Sequence, residues 1–269
     1  MHSSKLAKQD KAISNLSRIL KKNSASTGLA RALSKCGHCS RSKARDLIVS
    51  GQVRVNDRLV TNPEQRVLPG KDRIEVDGQK IRAGERIYLM LNKPRGIITS
   101  ADDEKGRPTV YSLLPGDLPW VAPVGRLDKA SEGLLLLTND SAWGARIASP
   151  ESHISKTYHV QVAAVVGPEL LRQLTSGVRH EGEDVLRAKQ ASVVRTGAKN
   201  SWLEIVLNEG RNRHIRRLME GLGIEVLRLI RVAIGPLQLG SLPKGKVREL
   251  TAEEVATLAG RQTAARQRA

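Results

Sequence analysis

The chain has 269 residues, of which 45 are Lys or Arg and 27 are Asp or Glu, so its formal net charge is +18 at pH 7. This excess of positive charge predicts a polyanionic partner, with nucleic acid favoured over an anionic membrane surface. Aromatic residues make up only 2% of the chain and Phe is absent, which argues against a single-strand binding platform of stacked rings and predicts a core of Leu, Ile and Val.

The two ends of the chain are basic and polar. Residues 1–26 are predicted to form a mobile arm or one that lies along RNA, and residues 259–269 form a similar basic tail. The N-terminus lacks the apolar segment of a signal peptide, and no stretch is apolar and long enough to cross a bilayer. We therefore expect a cytoplasmic protein.

Residues 27–80 predict a small domain of two helices and a sheet. One helix begins near Leu29 and stops at Gly37, and a second begins after Ser40, a good N-cap, and ends at Gly51. The alternating stretches QVRVN and RLVT around an Asn-Asp turn predict a hairpin, and DRIEVDG predicts a third strand. Basic side chains crowd the helical part and are candidate RNA contacts, the alternative being a solvated basic face: Arg31, Lys35, Arg41, Lys43 and Arg45.

The two cysteines of the chain form the motif Cys36-Gly37-His38-Cys39. Three interpretations are open, namely a dithiol redox centre, half of a zinc site, and ordinary structural cysteines. A structural zinc site needs about four ligands, and no second pair of ligands stands elsewhere in the sequence. We expect structural cysteines and no metal.

Residues 87–255 predict a second domain rich in strands. YLMLNKP and GLLLLTND are apolar strands, KTYHVQVA and SWLEIVL alternate in hydrophobicity, and residues 212–223 predict a helix. Because few of these elements follow a strand-helix-strand rhythm, the fold class is α+β with a mixed, mainly antiparallel sheet.

Asp128 is the first candidate for chemistry. It lies in the run GRLDKASEG, a polar loop that opens directly onto the apolar strand LLLL, so its carboxylate is expected at the edge of a core. A nearby cation would keep it ionised, as a nucleophile or base requires. Taken alone, an Asp in a loop is more often a turn or cap residue.

The helix predicted from residue 212 supplies cations. Its apolar face places Arg216 at the rim, from which a guanidinium can reach a carboxylate while the stem packs. Arg211, Arg213 and Arg217 suit contacts with RNA phosphates. On the strand KTYHVQV, Tyr158 shares a face with two valines and is expected to point inward.

The residues from 27 to 80 resemble the RNA-binding domain named after ribosomal protein S4. The matching stretches are SRSK over 40–43 and VRVND over 53–57. Gly28 stands where that family often has a basic residue.

From about residue 27 to 255, the chain is similar to the RsuA-type bacterial ribosomal RNA pseudouridine synthases. The most specific stretch is GRLD followed by EGLLLLTND, and the others keep the family's order. They are YLMLNKPRGIITS, GRPTVYSLLP, KTYHVQV, NEGRNRHIRRLM and LRLIRVAIGPLQLG.

The resemblance implies three catalytic residues. Asp128 matches the catalytic aspartate, and Arg216 matches the arginine that pairs with it. Tyr158 matches the tyrosine that stacks on the target base and can take part in proton transfer. Two further residues are implied in the substrate pocket: Leu229 closes it and Arg126 supports the flipped nucleotide. His214 stands where many members have Gln.

The implied reaction breaks the N–C glycosidic bond of a uridine, turns the base and rejoins it through carbon, with no metal or other cofactor. Asp128 would act on the sugar either as a nucleophile or as a base. The expected partner is ribosomal RNA or an assembling ribosomal subunit, not a membrane, and we expect a monomer. A 23S target in the large subunit is favoured; the alternatives are a 16S target in the small subunit and a catalytically silent RNA-binding factor of ribosome assembly.

Overall fold

The computed structural model describes residues 26–82, 84–101, 103, 105–179 and 185–260. The arm expected over the N-terminal residues, up to residue 25, and the basic tail from residue 261 lie outside the described chain. The chain divides into two compact units between Glu85 and Arg86. None of the helices in the described ranges has the length and apolar character needed to span a membrane.

The first unit consists of two helices and two small antiparallel sheets. Strand β1 pairs with β4, and the other four strands pair in the order β3-β2-β5-β6. Its elements are β1 (Thr27–Gly28), α1 (Leu29–Lys35), α2 (Arg41–Val49), β2 (Val53–Val55), β3 (Arg58–Leu59), β4 (Arg66–Val67), β5 (Ile74–Val76) and β6 (Gln79–Ile81).

Local sequence explains where these elements begin and end. The Ser40 side chain accepts a hydrogen bond from the backbone N–H of Lys43 at 3.1 Å and caps α2, as predicted. Gly51 follows α2 with φ 76°, in the left-handed region that glycine adopts readily. Asn56 and Asp57 both have positive φ, as a tight hairpin turn requires, so the predicted hairpin is confirmed.

The second unit is built on one nine-stranded sheet. Short 3₁₀ turns cover Val110–Leu113 and Pro150–Ser152. The other elements are β7 (Tyr88–Lys93), β8 (Ala122–Val124), β9 (Glu132–Thr138), α3 (Ser141–Ala148), β10 (Lys156–Val162), α4 (Pro168–Ser176), β11 (Gln190–Thr196), β12 (Ser201–Leu207), α5 (His214–Glu220), β13 (Val226–Ile234), β14 (Leu237–Gln238), β15 (Val247–Glu249) and α6 (Ala252–Leu258).

The sheet is mixed and mainly antiparallel, so the predicted α+β fold class is confirmed. Its main path is β11-β12-β10-β13-β9-β7-β15, with β14 on β13 and β8 on β9. Among the strand pairs of the described chain, only β9 with β13 is parallel. Gly133 lies at that pairing with φ 101°, and a Cβ there would lie 2.2 Å from the carbonyl oxygen of Arg231. The two central strands can therefore approach only because residue 133 is a glycine.

The apolar strand β9 is buried over its whole length, which is why its sequence is not alternating. Leu135 and Leu137 pack into one hydrophobic cluster, on the side of Tyr158, whereas Leu134 and Leu136 pack into another with α3. Leu, Ile and Val dominate both clusters, as the composition predicted. The loop before β9 is thus attached to the most deeply buried strand of the unit.

Helix α5 is shorter than the sequence predicted. We expected residues 212–223, but the helix runs from His214 to Glu220. Arg213 has φ 48°, in the left-handed region, and so cannot belong to a right-handed helix. Ile215, Leu218 and Met219 are buried as expected.

Candidate active site

A cavity of about 380 Å³ opens in the second unit. It lies among the loop before β9, the turn before α5 and one face of strands β10 and β13. This volume is at the lower end of the range for small-molecule sites. The cavity lining includes six of the residues that the sequence singled out: Arg126, Asp128, Tyr158, Arg211, Arg213 and Leu229.

Lys93 holds the loop that carries Asp128. Its side chain is fully buried at the end of β7. Its Nζ donates to the backbone carbonyls of Pro94 at 3.1 Å, Asp128 at 3.1 Å and Ser131 at 2.9 Å. Burial lowers the pKa of Lys93 to about 8, and the negative charge of Asp128 opposes that effect. The ammonium group of Lys93 therefore bridges the two ends of the turn, Asp128 and Ser131, through their backbone carbonyls.

The segment after β7 fixes the same loop at two more points. The Thr99 hydroxyl donates to the carbonyl of Leu127 at 2.8 Å. The backbone N–H of Gly96 donates to the carbonyl of Lys129 at 2.7 Å. Asp128 is thus flanked on both sides by residues whose backbone is held, and it lines the cavity.

The relation between Arg216 and Asp128 differs from a direct ion pair. Within the described chain the two side chains do not form a salt bridge; instead Arg216 Nη2 donates to the carbonyl of Ala130 at 3.3 Å. Burial and the nearby charge of Arg213 lower the pKa of Arg216, and the charge of Asp128 partly opposes this effect. Arg216 therefore interacts with Asp128 at a distance, while its hydrogen bond to Ala130 supports the turn.

The floor of the cavity is the face of the sheet that carries Tyr158. Tyr158 is 9% exposed and lies directly opposite Arg231 on β13, and Val160 lies opposite Leu229. The register between β10 and β13 shifts between Thr157 and Tyr158. Such bulges are frequent beside active sites, where they re-aim side chains.

Three lining or supporting residues were not predicted. Lys156 and Arg231 line the floor of the cavity, and Lys93 holds its loop. A sequence signal for Lys93 exists, since a lysine that ends a buried apolar strand needs polar partners. His214 also lines the cavity; it is 3% exposed, and neither ring nitrogen makes a hydrogen bond of normal geometry. Burial lowers its pKa, so the imidazole is held towards the neutral form.

Glu132 directly follows the loop that carries Asp128, and two cations neutralise its charge. It is 3% exposed and pairs with Arg228 at 2.7 Å and with Lys244 at 2.6 Å. The hydrogen bond from Arg228 lowers the pKa of Glu132 to about 2. Arg228 and Lys244 therefore balance the charge of Glu132. Asp128 is the carboxylate that lines the cavity.

The other predicted RNA-binding residues lie outside the cavity. Arg217, a candidate RNA contact, is half-buried on α5. The five basic residues of the first unit are all exposed on or beside α1 and α2, and one of them, Arg45, lies 3.6 Å from Glu64.

Cys36 and Cys39 are free thiols. Burial raises the pKa of both, which disfavours the thiolate needed for redox chemistry or metal binding. Among the described residues, no three or more His, Cys, Asp or Glu side chains are grouped so as to hold a metal ion.

Comparison with known proteins gives a consistent result. Residues 87–221 match the family described as RNA pseudouridylate synthase, and residues 27–74 match the S4 domain. The chain is 39% identical to the ribosomal large subunit pseudouridine synthase B of Bacillus subtilis (strain 168), over 86% of this chain and 94% of that protein. It is 38% identical to a protein of Aquifex aeolicus (strain VF5) named an uncharacterised RNA pseudouridine synthase, over 84% of this chain and 91% of that one.

One solved structure is similar over most of the chain. A crystal structure of a pseudouridylate synthase matches with a TM-score of 0.61 and 31% identity, and the match covers 86% of this chain and 99% of the other.

Proposed function

The chain belongs to the RNA pseudouridylate synthase family, in the RsuA-type group with an N-terminal S4 domain, and we propose that it isomerises a specific uridine of large-subunit ribosomal RNA. That it is a pseudouridine synthase follows from the family. The large-subunit target is supported by the name and the 39% identity of the Bacillus subtilis relative.

The observation that carries the proposed chemistry is the position of Asp128. A carboxylate on a loop pinned by Lys93 and Thr99 lines a cavity floored by Tyr158 and closed by Leu229. Such anchoring gives the fixed geometry on which a nucleophile or base depends. In this proposal the target uridine is flipped from its stack into the cavity, as enzymes that act on a base require.

In this proposal Tyr158, Leu229 and Arg126 take the roles that the family resemblance implies. Tyr158 stacks on the extruded base, and Leu229 excludes the water that would intercept the detached base. Arg126, exposed at the mouth, supports the backbone of the flipped nucleotide. Arg211 and Arg213 also line the cavity and attract RNA phosphates, whose charge dominates binding. Arg216 supports the turn and the charge of Asp128.

The first unit is proposed to hold the RNA. The exposed cations on and beside α1 and α2 form one basic helical surface of an S4 domain, the kind of surface that binds phosphates without reading bases. RNA affinity should therefore fall steeply as salt rises.

The test uses the purified protein and transcripts of the large-subunit and small-subunit RNA, followed by mapping of pseudouridine. We expect one modified uridine in the large-subunit RNA, lost when Asp128→Asn is introduced and kept by Asp117→Asn, which removes an exposed carboxylate outside the cavity. Modification of the small-subunit RNA alone would overturn the proposed target. Full activity of Asp128→Asn would overturn the proposed catalytic residue.

A further inference from the structure

The floor of the cavity carries two cations without a counter-ion. Resting on the proposed function, we propose that Lys156 and Arg231, here called the cationic floor, stabilise the negative charge of the uracil while it is detached from the sugar. Both residues line the cavity. Lys156 lies two residues before Tyr158 on the same face of β10, and Arg231 lies directly opposite Tyr158. The cations therefore flank the ring on which the base is proposed to stack.

The guanidinium group of Arg231 is held in place by one hydrogen bond, but another of its nitrogens has no acceptor. Arg231 is 5% exposed, and its Nε donates to the carbonyl of Leu134 at 2.7 Å. Its Nη2 is enclosed and makes no hydrogen bond. Enclosing a charged donor without an acceptor is costly, so Arg231 keeps an incompletely satisfied positive charge beside the cavity that it lines.

Neither cation of the floor is neutralised by the protein. In the described part of the chain neither forms a salt bridge with a carboxylate, and Glu132 is occupied by Arg228 and Lys244. Burial lowers the pKa of Lys156, and the nearby positive charge of Arg231 lowers it further. The cavity floor thus holds a positive charge before any substrate is bound.

The reaction creates a matching negative charge. When the bond between C1′ and N1 breaks, both of its electrons stay with the base, and the charge spreads to the two carbonyl oxygens of uracil. On the sugar, Asp128 either bonds to C1′ or takes the proton of C2′. The base then bonds to C1′ through C5. In the first route this bond replaces the bond between Asp128 and C1′, and in the second Asp128 returns the proton to C2′. C5 then loses its proton and N1 gains one, so atoms and electrons balance.

Asp128 does not offset this negative charge, because both of its possible steps take place at the sugar. The two fixed cations of the floor do, and they need no reorganisation at the moment of bond breaking. Pre-oriented charges in a site closed to water are worth more than the same charges in solution. The cationic floor therefore stabilises the intermediate in which the base is free to turn.

The experiment compares two substrates in single-turnover assays at saturating RNA, with uridine or 5-fluorouridine at the target position. Fluorine withdraws electrons and stabilises the detached base, so an enzyme that has lost the cationic floor should be helped by it. For Lys156→Met we expect cleavage of the uridine substrate to slow about 100-fold and the defect to shrink several-fold with 5-fluorouridine, while RNA affinity hardly changes. Arg195→Met, which removes an exposed cation of β11 outside the cavity, should match the wild type.

Arg231 is tested in parallel through Arg231→Met and the charge-conserving Arg231→Lys. If Arg231→Met does not fold, partial activity in Arg231→Lys together with the Lys156→Met result still decides the question. An equal defect with both bases, or a loss in RNA affinity that accounts for the lost rate, would mean that the two cations hold a phosphate or the fold and would overturn the inference. A wild-type protein that modifies no ribosomal RNA would instead refute the proposed function.

Discussion

The ammonium group of Lys93 donates a hydrogen bond to the backbone carbonyl of Asp128 over 3.1 Å. This contact joins the end of β7 to the residue proposed to do the chemistry, and two further carbonyls share the same nitrogen. The position of the carboxylate therefore depends on a buried side chain that never enters the cavity lining.

Replacing Lys93 by Met should impair catalysis more than binding. The variant leaves three buried carbonyls without their donor, so the turn at Asp128 loosens, and a misplacement of about 1 Å can cost about 100-fold in rate. We expect the single-turnover rate to fall by about that factor while RNA affinity stays within a few-fold. Lys129→Met removes an exposed lysine of the same loop and is the control. A normal rate in Lys93→Met, with the protein folded, would contradict the anchoring role.

Lys93 also predicts how stability depends on pH. Its pKa is about 8 in the folded protein and near 10.5 in an unfolded chain. Between these values the unfolded chain holds the proton more tightly, so the free energy of unfolding should rise with pH by up to about 1.4 kcal/mol per unit. Below pH 8 the buried charge is a constant cost. Denaturant unfolding at pH 7 to 10 measures this rise, which Lys93→Met should lack; equal slopes in the two proteins would contradict it.

Glu132 predicts a second pH dependence, this time in acid. Because Arg228 and Lys244 lower its pKa to about 2, the folded protein keeps the carboxylate ionised where the unfolded chain protonates it, from about pH 4.5 downward. Its stabilising effect is complete above that pH and is lost as pH falls towards 2. Its partners are partly exposed, which limits the effect to about 1–3 kcal/mol. Glu132→Gln should lower stability at pH 7 and flatten its pH dependence between 4.5 and 2 in denaturant titrations.

The strands, helix caps and turns could be predicted from the sequence better than the contacts that hold the loop of Asp128 in place. The uniform burial of β9, the cap at Ser40 and the hairpin at Asn56 follow from local residue patterns. Asp128, Tyr158 and Leu229 line one cavity, and their catalytic roles stay predictions. The predicted start of α5 was wrong because Arg213 has a left-handed backbone conformation, which nothing about an arginine side chain indicates.

Contacts between segments that are distant in the chain could not be predicted from the sequence. The three carbonyls on Lys93 and the bond from Arg216 to Ala130 depend on backbone atoms, which carry no residue-specific signal. The unpaired Nη2 of Arg231 was equally hidden, because no sequence pattern records which acceptors surround an enclosed guanidinium group.

Gly133 should tolerate no side chain. A Cβ there would lie 2.2 Å from the backbone oxygen of Arg231, and φ is 101°. Gly133→Ala must therefore force apart two central strands and should cost at least about 3 kcal/mol, more than backbone strain alone. Gly125→Ala is the matched control, because its φ is also positive, at 74°, but the space around it is open; it should lose only about 1–2 kcal/mol. Similar losses in thermal or denaturant unfolding would refute the steric explanation.

The basic helical surface of the first unit should contribute to RNA capture and not to the chemical step. Exchanging Arg31, Arg41 and Lys43 for Gln removes three exposed cations without touching the buried core of that unit. If each contacts one phosphate, RNA affinity should fall and the slope of log affinity against log salt should flatten by about 0.7 to 0.9 per lost contact. The single-turnover rate at saturating RNA should be unchanged.

The matched control for that variant removes the same charge from the strand segments of the same unit. Arg58 lies on β3, Lys80 on β6 and Lys71 between β4 and β5; all three are exposed, and their exchange for Gln lowers the net charge equally. If only the position of the charges matters, this control keeps most of the affinity and most of the salt slope. Equal losses in the two triple variants would mean that overall charge, and not a helical binding surface, attracts the RNA.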